Sequence, residues 1–295
     1  MREIKLKARA KINLGLDVVR KREDGYHEVR MIMQMINLYD KITMRRITES
    51  EIRVTTNLPY LPVNEDNLVY RAAKLLMDEF QVTEGVEIEL QKYIPVAAGM
   101  AGGSSDAAAV MVGINRIFHL GLTKKQLMER GVKIGADVPF CIMRGTALAE
   151  GIGEVLTPLP ATVFNVFSHT MIYSCSLVIA KPKIHVSTKF VYGNLKANEL
   201  KEHPDIDGQV QALREGSLEQ LVAKMGNVLE TVTVPAYPVI DEIKKTMLKN
   251  DAMGAMMSGS GPTVFGVFER EERAQEVCRL LKKEGAAKQV YLVRQ

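Results

Sequence analysis

The segment PVAAGMAGGSSDAAA, residues 95–109, concentrates the residue types that hold phosphate. Gly99, Gly102 and Gly103 lead into an apolar run, and the spacing predicts a helix that begins near Ser104 to Asp106. A helix start offers unpaired backbone N–H groups and the positive end of a dipole, and glycines let an anion approach that backbone closely. Ser104 and Ser105 add hydroxyls able to donate to phosphate oxygens or to ligate Mg²⁺. The same residues also fit a glycine turn followed by a serine cap on a structural helix, a role that suits Asp106, since a first-turn carboxylate favours the dipole. Neither GxxxxGK[ST] nor the GxGxxG spacing of dinucleotide folds occurs, and Gly151-Ile152-Gly153 reads as a turn.

Outside this loop, the single polar residues have plain local readings. Asp137 reads as a cap two residues before Pro139. Lys11 reads as one more lysine on a solvated strand face. His27 after Asp24-Gly25 suits a hairpin.

The elements that must position these residues are legible in the periodicity. Residues 4–18 alternate, with Ile4, Leu6, Ala8, Ala10, Ile12, Leu14, Leu16 and Val18 on one face and Lys5, Lys7, Arg9, Lys11 and Asn13 on the other, which predicts a half-buried strand. Asp24-Gly25 turns it into a hairpin returning through Val29 to Met35. Asp66 or Asn67 caps a helix through Phe80, Val86 to Leu90 is a strand, and Ala107 to Phe118 is apolar nearly all round, a buried helix. Thr123 and Gln126 form a capping box. Pro158 and Pro160 place a domain boundary, giving 1–158 and 159–295. Beyond it come strand 177–180, helices near 209–213, 218–229 and 238–249, strand 255–258, a glycine turn, strand 263–268, helix 271–283 and strand 289–293. This mixture is α+β in two domains.

Composition narrows the function classes. Lys and Arg exceed Asp and Glu by 39 to 35, a net charge of +4 spread without blocks, which disfavours a nucleic-acid footprint. Cys141, Cys175 and Cys278 are far apart in apolar surroundings and predict reduced core thiols. The N-terminal stretch lacks a secretory pattern, so a cytoplasmic location is expected. Thr157 to Ala180 is uncharged, yet Asn165, Ser168, His169, Thr170, Ser174 and Ser176 interrupt it and argue against a membrane span.

Three segments, AKINLGL at 10–16, the loop at 95–109 and MSGSGPTVFGVF at 257–268, resemble in order and spacing the three motifs of the GHMP kinases. DGYHEV at 24–29, DNLVYRAA at 66–73, GADVPF at 135–140 and VSTKFVY at 186–192 resemble the branch that phosphorylates the 2-hydroxyl of a cytidine-diphosphate-linked methylerythritol in the non-mevalonate route to isoprenoid precursors. The resemblance implies a mixed α/β ATP-binding domain followed by a ferredoxin-like α/β domain. It implies ATP and Mg²⁺, with Asp137 accepting the substrate proton and Lys11 offsetting charge. Pro95, Val96, Ala97, Ala98, Gly99, Met100, Ala101, Gly102, Gly103, Ser104 and Ser105 would hold the phosphates, with Asn67 and Leu68 near adenine. Tyr26 and Tyr192 would sandwich the cytosine, His27 would bond its edge, Asn13 and Thr188 would lie near the substrate, and Gly259, Ser260 and Gly261 would close the site. The chain between Pro160 and Ser176 is longer than the family's pattern, which suggests a loop or a partner-binding patch. Rival readings are a GHMP kinase for homoserine, mevalonate or a sugar, a non-catalytic nucleotide sensor, and an RNA-binding protein.

Overall fold

The computed structural model describes residues 2–160 and 175–295. In chain order the first half holds β1 (Glu3–Lys21), β2 (His27–Ile47), β3 (Ile52–Thr56), α1 (Leu68–Glu79), β4 (Gly85–Gln91), α2 (Gly102–Ile117), α3 (Lys124–Gly131), α4 (Val138–Met143), β5 (Thr146–Glu150) and β6 (Val155–Leu159). The second half holds β7 (Ser176–Lys181), α5 (Thr188–Asn194), α6 (Ile206–Glu215), α7 (Leu218–Ala223), β8 (Gly226–Asn227), α8 (Glu230–Ala236), α9 (Val239–Lys249), β9 (Gly254–Met257), β10 (Val264–Phe268), α10 (Glu271–Glu284) and β11 (Gln289–Arg294).

Two compact units interleave along the chain. One takes the residues up to Ala10, Leu38–Val96 and Ala101–Arg144, and the other takes Lys11–Asn37, Ala97–Met100 and Gly145–Gln295. In the first, β3 runs parallel to β4, and β4 pairs antiparallel with Lys41–Ile47 of β2. Helix α2 packs on α1 and α4. Small residues at Ala107, Ala108 and Ala109 with Val110, Met111 and Ile114 bury α2 nearly all round, as the sequence predicts.

The second unit has two sheets. β5 pairs with Met31–Gln34 of β2 and with β6, while Gly15 and Leu16 of β1 meet Gly226 and Asn227 of β8 in parallel register. The other sheet has the order β11-β7-β10-β9, antiparallel throughout, with α9 and α10 packed on it. That is the 4-1-3-2 order of a ferredoxin-like layer, as expected.

Several expectations change. The β1 face with Lys11 and Asn13, read as solvated, is buried from Ala10 through Leu16, because chain segments remote in sequence cover it. The helix expected over 218–229 stops at Ala223, since β8 intervenes and Asn227 turns its side chain to the Met257 and Gly259 carbonyls at 2.9 and 2.8 Å. Helix α2 starts two residues before the expected position. The three cysteines are free and buried; burial pushes Cys175 and Cys278 up to about 12 and about 11, which keeps them as inert thiols. Among the described residues no helix is long and apolar enough to cross a membrane, and the added stretch at 161–174 lies outside them.

Candidate active site

The glycine loop departs from ordinary backbone at every second residue. Ala97, Gly99 and Ala101 have φ of 50, 71 and 52°. Left-handed conformations at alanine cost about 1–3 kcal/mol each and persist where the surroundings impose them. Alternation of this kind turns consecutive N–H groups toward one side, an anion-binding concavity.

Helix α2 then opens without a side-chain cap. Its N-cap is Ala101, and the Ser105 amide makes the first intrahelical bond, to the Ala101 carbonyl at 2.8 Å. The amides of Gly102, Gly103 and Ser104 therefore have no helical acceptor. The serine-cap alternative fails on this point, because Ser104 and Ser105 lie inside the helix. Ser105 is buried and its hydroxyl donates to the Arg9 carbonyl at 2.6 Å, a structural bond that commits its one proton. Ser104 forms no side-chain hydrogen bond among the described residues.

In the same unit Leu68 borders the loop, since a Cβ placed on Gly103 would meet its Cδ1 at 3.4 Å. Asn67 is the N-cap of α1; its Oδ1 accepts from the Val69 amide at 2.9 Å and its Nδ2 donates to the Pro62 carbonyl at 2.7 Å. Its side chain is thus engaged by the helix start. Gly135, two residues before Asp137, approaches Ser104: a Cβ there would lie 3.8 Å from the Ser104 hydroxyl. Asp137 is the N-cap residue of α4, yet its carboxylate makes no capping hydrogen bond, so the cap explanation does not account for it.

The other unit collects a second group. Lys11 is 5 % exposed; its amide donates to the Met100 carbonyl at 3.1 Å and its ammonium to Asn13 Oδ1 at 2.7 Å. Among the described residues no carboxylate pairs with that ammonium. A buried lysine with one neutral acceptor favours an anionic ligand, because desolvation makes each charge interaction stronger. Ser258 Oγ donates to the Gly99 carbonyl at 2.9 Å, and a Cβ on Gly99 would overlap the Ser258 carbonyl oxygen. Gly259, with φ of 58°, comes near Gly99 and Asn13, and Thr188 and Ser260 share a hydroxyl hydrogen bond at 2.9 Å. The turn at 258–261 is therefore a β9–β10 hairpin turn fixed against the glycine loop.

Of the three aromatic residues implied for the base, two lie against each other. His27 and Tyr192 lie with ring centroids 5.1 Å apart at 46°, while Tyr26 is 60 % exposed. Burial, and secondarily Lys21, hold the His27 imidazole below its usual value, so it is neutral near pH 7 and can both donate and accept.

Sequence reasoning missed one feature. Lys92 donates to Asp40 and, at 2.6 Å, to Asp106, in a site almost closed to solvent. Asp40 Oδ1 also accepts the Ile94 amide at 2.8 Å. The triad thus holds the chain just before the glycine loop and the first turn after it. Burial pushes the Asp106 carboxyl well above the usual carboxylate range, with Lys92 opposing and Asp40 adding to the rise. For Lys92 the two carboxylates outweigh burial and the net direction is up. Asp106 is therefore not a simple dipole partner. The pairing of Lys92 with residues 52 and 14 positions away left no local signal.

Residues 67–145 match the GHMP kinases N terminal domain and 209–287 the GHMP kinases C terminal domain, one on each side of position 158. The chain belongs to the GHMP kinases, ATP-dependent small-molecule kinases. It is 55% identical to the 4-diphosphocytidyl-2-C-methyl-D-erythritol kinase of Lachnospira eligens over 291 residues, 99% of this chain and 98% of that protein. The protein of the same name from Alkaliphilus oremlandii is 54% identical over 93% of this chain and 91% of its own length. A crystal structure of 4-(cytidine 5'-diphospho)-2C-methyl-D-erythritol kinase superposes with a TM-score of 0.81 at 29% identity, covering 99% of this chain and 98% of that one. The L. major mevalonate kinase shares the fold, with a TM-score of 0.73 at 16% identity over 99% and 96% of the two chains.

Proposed function

We propose that this protein transfers the γ-phosphoryl group of ATP to the 2-hydroxyl of 4-diphosphocytidyl-2-C-methyl-D-erythritol, giving the 2-phosphate and ADP, a step toward isoprenoid precursors. One observation carries the choice of substrate: identity of 55% runs over 99% of the chain to a relative of that name, against 16% for a mevalonate kinase of the same fold. The loop geometry supports the nucleotide half of the reading. Phosphoryl transfer asks for positioning and charge neutralisation rather than covalent chemistry, and uncapped amides with a buried ammonium supply both.

In this reading the amides of Gly102, Gly103 and Ser104 bind phosphate oxygens, Leu68 contributes apolar surface toward adenine, and Asp137 takes the proton of the attacking hydroxyl. Lys11, held by Asn13, offsets negative charge that grows in the transition state. His27 and Tyr192 bind the cytosine, one through ring nitrogens and both through their faces, with Tyr26 and Thr188 completing the substrate side. Among the described residues no cluster of three His, Cys, Asp or Glu side chains could hold a metal by itself. That fits Mg²⁺ carried largely by the nucleotide, with the Ser104 hydroxyl as the protein oxygen; the ion would neutralise phosphate charge. Domains at 1–158 and 159–295 and a cytoplasmic setting, consistent with three free thiols, belong to the same proposal.

The test is ADP release with the cytidine-linked alcohol, homoserine and mevalonate offered separately. Turnover with the first alone is expected, and preferential turnover of either other alcohol overturns the assignment.

A further inference from the structure

Three cations that the proposed reaction does not use line one cavity of about 320 Å³ in the first compact unit. Arg116 lies in the last turn of α2, Lys124 begins α3, and Arg144 follows α4; Val112, Leu127 and Ile142 give apolar walls, and no carboxylate lines the space. At about 1.5 Å of rise per residue, Arg116 is about 21 Å along α2 from the glycine loop. The cavity is therefore at the opposite end of that helix from the candidate nucleotide site.

Each cation has a local reason to be near a helix C-terminus. Arg116 suits the dipole of α2, and Lys124 Nζ donates to the Met143 carbonyl at the end of α4. Arg144 is the C-cap residue of α4, yet a helix end does not account for its backbone. Its backbone sits at φ 65°, ψ 165°, a region open in practice to glycine alone, and Gly145 after it also has a positive φ of 90°. Its guanidinium makes no hydrogen bond or ion pair among the described residues. Most of this protein's other arginines, including Arg20, Arg30, Arg45, Arg130 and Arg273, do have carboxylate partners.

The cations also repel one another. Burial and then Arg116 lower the Arg144 value; burial and then Arg144 lower those of Lys124 and Arg9. An anion in the cavity would reverse that repulsion and give the Arg144 guanidinium acceptors, since planar guanidinium donors match phosphate oxygens in pairs. We infer that this cavity binds a phosphate-class oxyanion, a free phosphate or a small phosphate ester or diphosphate, through Arg144, Arg116 and Lys124. The site goes beyond the kinase reading and does not depend on it.

Titration calorimetry at low salt tests this, with inorganic phosphate and diphosphate added separately to the full chain saturated with a non-hydrolysable ATP analogue. One equivalent of at least one anion should bind the wild type, and the two arms separate a one-phosphate from a two-phosphate ligand. Arg144→Gly should weaken binding by about tenfold or more, from the loss of charge-assisted hydrogen bonds, while the melting temperature rises because glycine fits that backbone. Arg116→Gln and Lys124→Gln should also weaken the anion and leave the analogue's affinity unchanged, so the site remains testable should Arg144→Gly misfold. Absence of heat with either anion, or binding by all three variants equal to wild type, overturns the inference. Failure of the analogue to bind counts against the nucleotide reading alone, because the same anion titrations on nucleotide-free variants still report on the cavity.

Discussion

Ser258 donates its hydroxyl to the carbonyl of Gly99 at 2.9 Å, joining two glycine-rich turns 159 positions apart. The bond fixes the middle of the glycine loop from a hairpin in the ferredoxin-like layer. Gly99 is needed twice over, by its φ of 71° and by the closeness of the Ser258 carbonyl. Gly99→Ala should destabilise the fold by at least about 1–3 kcal/mol through backbone strain and abolish tight nucleotide binding. Ser258→Ala should cost about 1 kcal/mol and raise KM for ATP more than it lowers kcat. Urea unfolding and steady-state kinetics measure both, and an unchanged KM in Ser258→Ala would speak against the hydrogen bond's positioning role.

Asp137 and Lys11 should behave as transition-state residues. Asp137→Asn is expected to lower kcat about 10²–10⁴-fold with nucleotide affinity nearly constant, the usual range for losing a positioned base. Lys11→Met keeps the buried stem and removes the charge, and should likewise act on kcat. Analogue binding measured beside turnover decides the matter: parallel losses in both would make these binding residues instead.

His27 gives a signed pH dependence. Its folded value lies below 6.5 because of burial and Lys21, so its stabilising contribution is present above the unfolded value and lost as pH falls through the folded one. Protonation also removes the ring nitrogen acceptor. KM for the cytidine substrate should rise as pH drops below 6.5, and His27→Gln should flatten that rise. A persistent pH effect in the variant would assign it to another group.

The Lys92 triad predicts unequal costs for its members. Lys92→Met leaves two buried carboxylates facing each other and should cost about 3–5 kcal/mol. Asp106→Asn should cost much less, since burial already favours the neutral carboxyl. The raised Asp106 value contributes stability below 3.8 that is lost as pH rises through its folded value, and the asparagine variant should lack that decline. Urea midpoints across pH test this; equal costs for the two substitutions would contradict the protonated carboxyl.

The chain's own residues determined the glycine loop, the buried helix after it, the Asn67 cap, the Thr123–Gln126 capping box and the strands of the ferredoxin-like layer. Those features rest on periodicity, turn chemistry and neighbours a few positions away, so they are written locally. Tertiary structure alone decided that the Lys11 and Asn13 face is buried, that Ser105 donates to Arg9, that His27 meets Tyr192, and that Lys92 joins two carboxylates. Burial and charge pairing depend on which distant segments arrive, and side-chain alternation along a strand does not encode what covers its polar face.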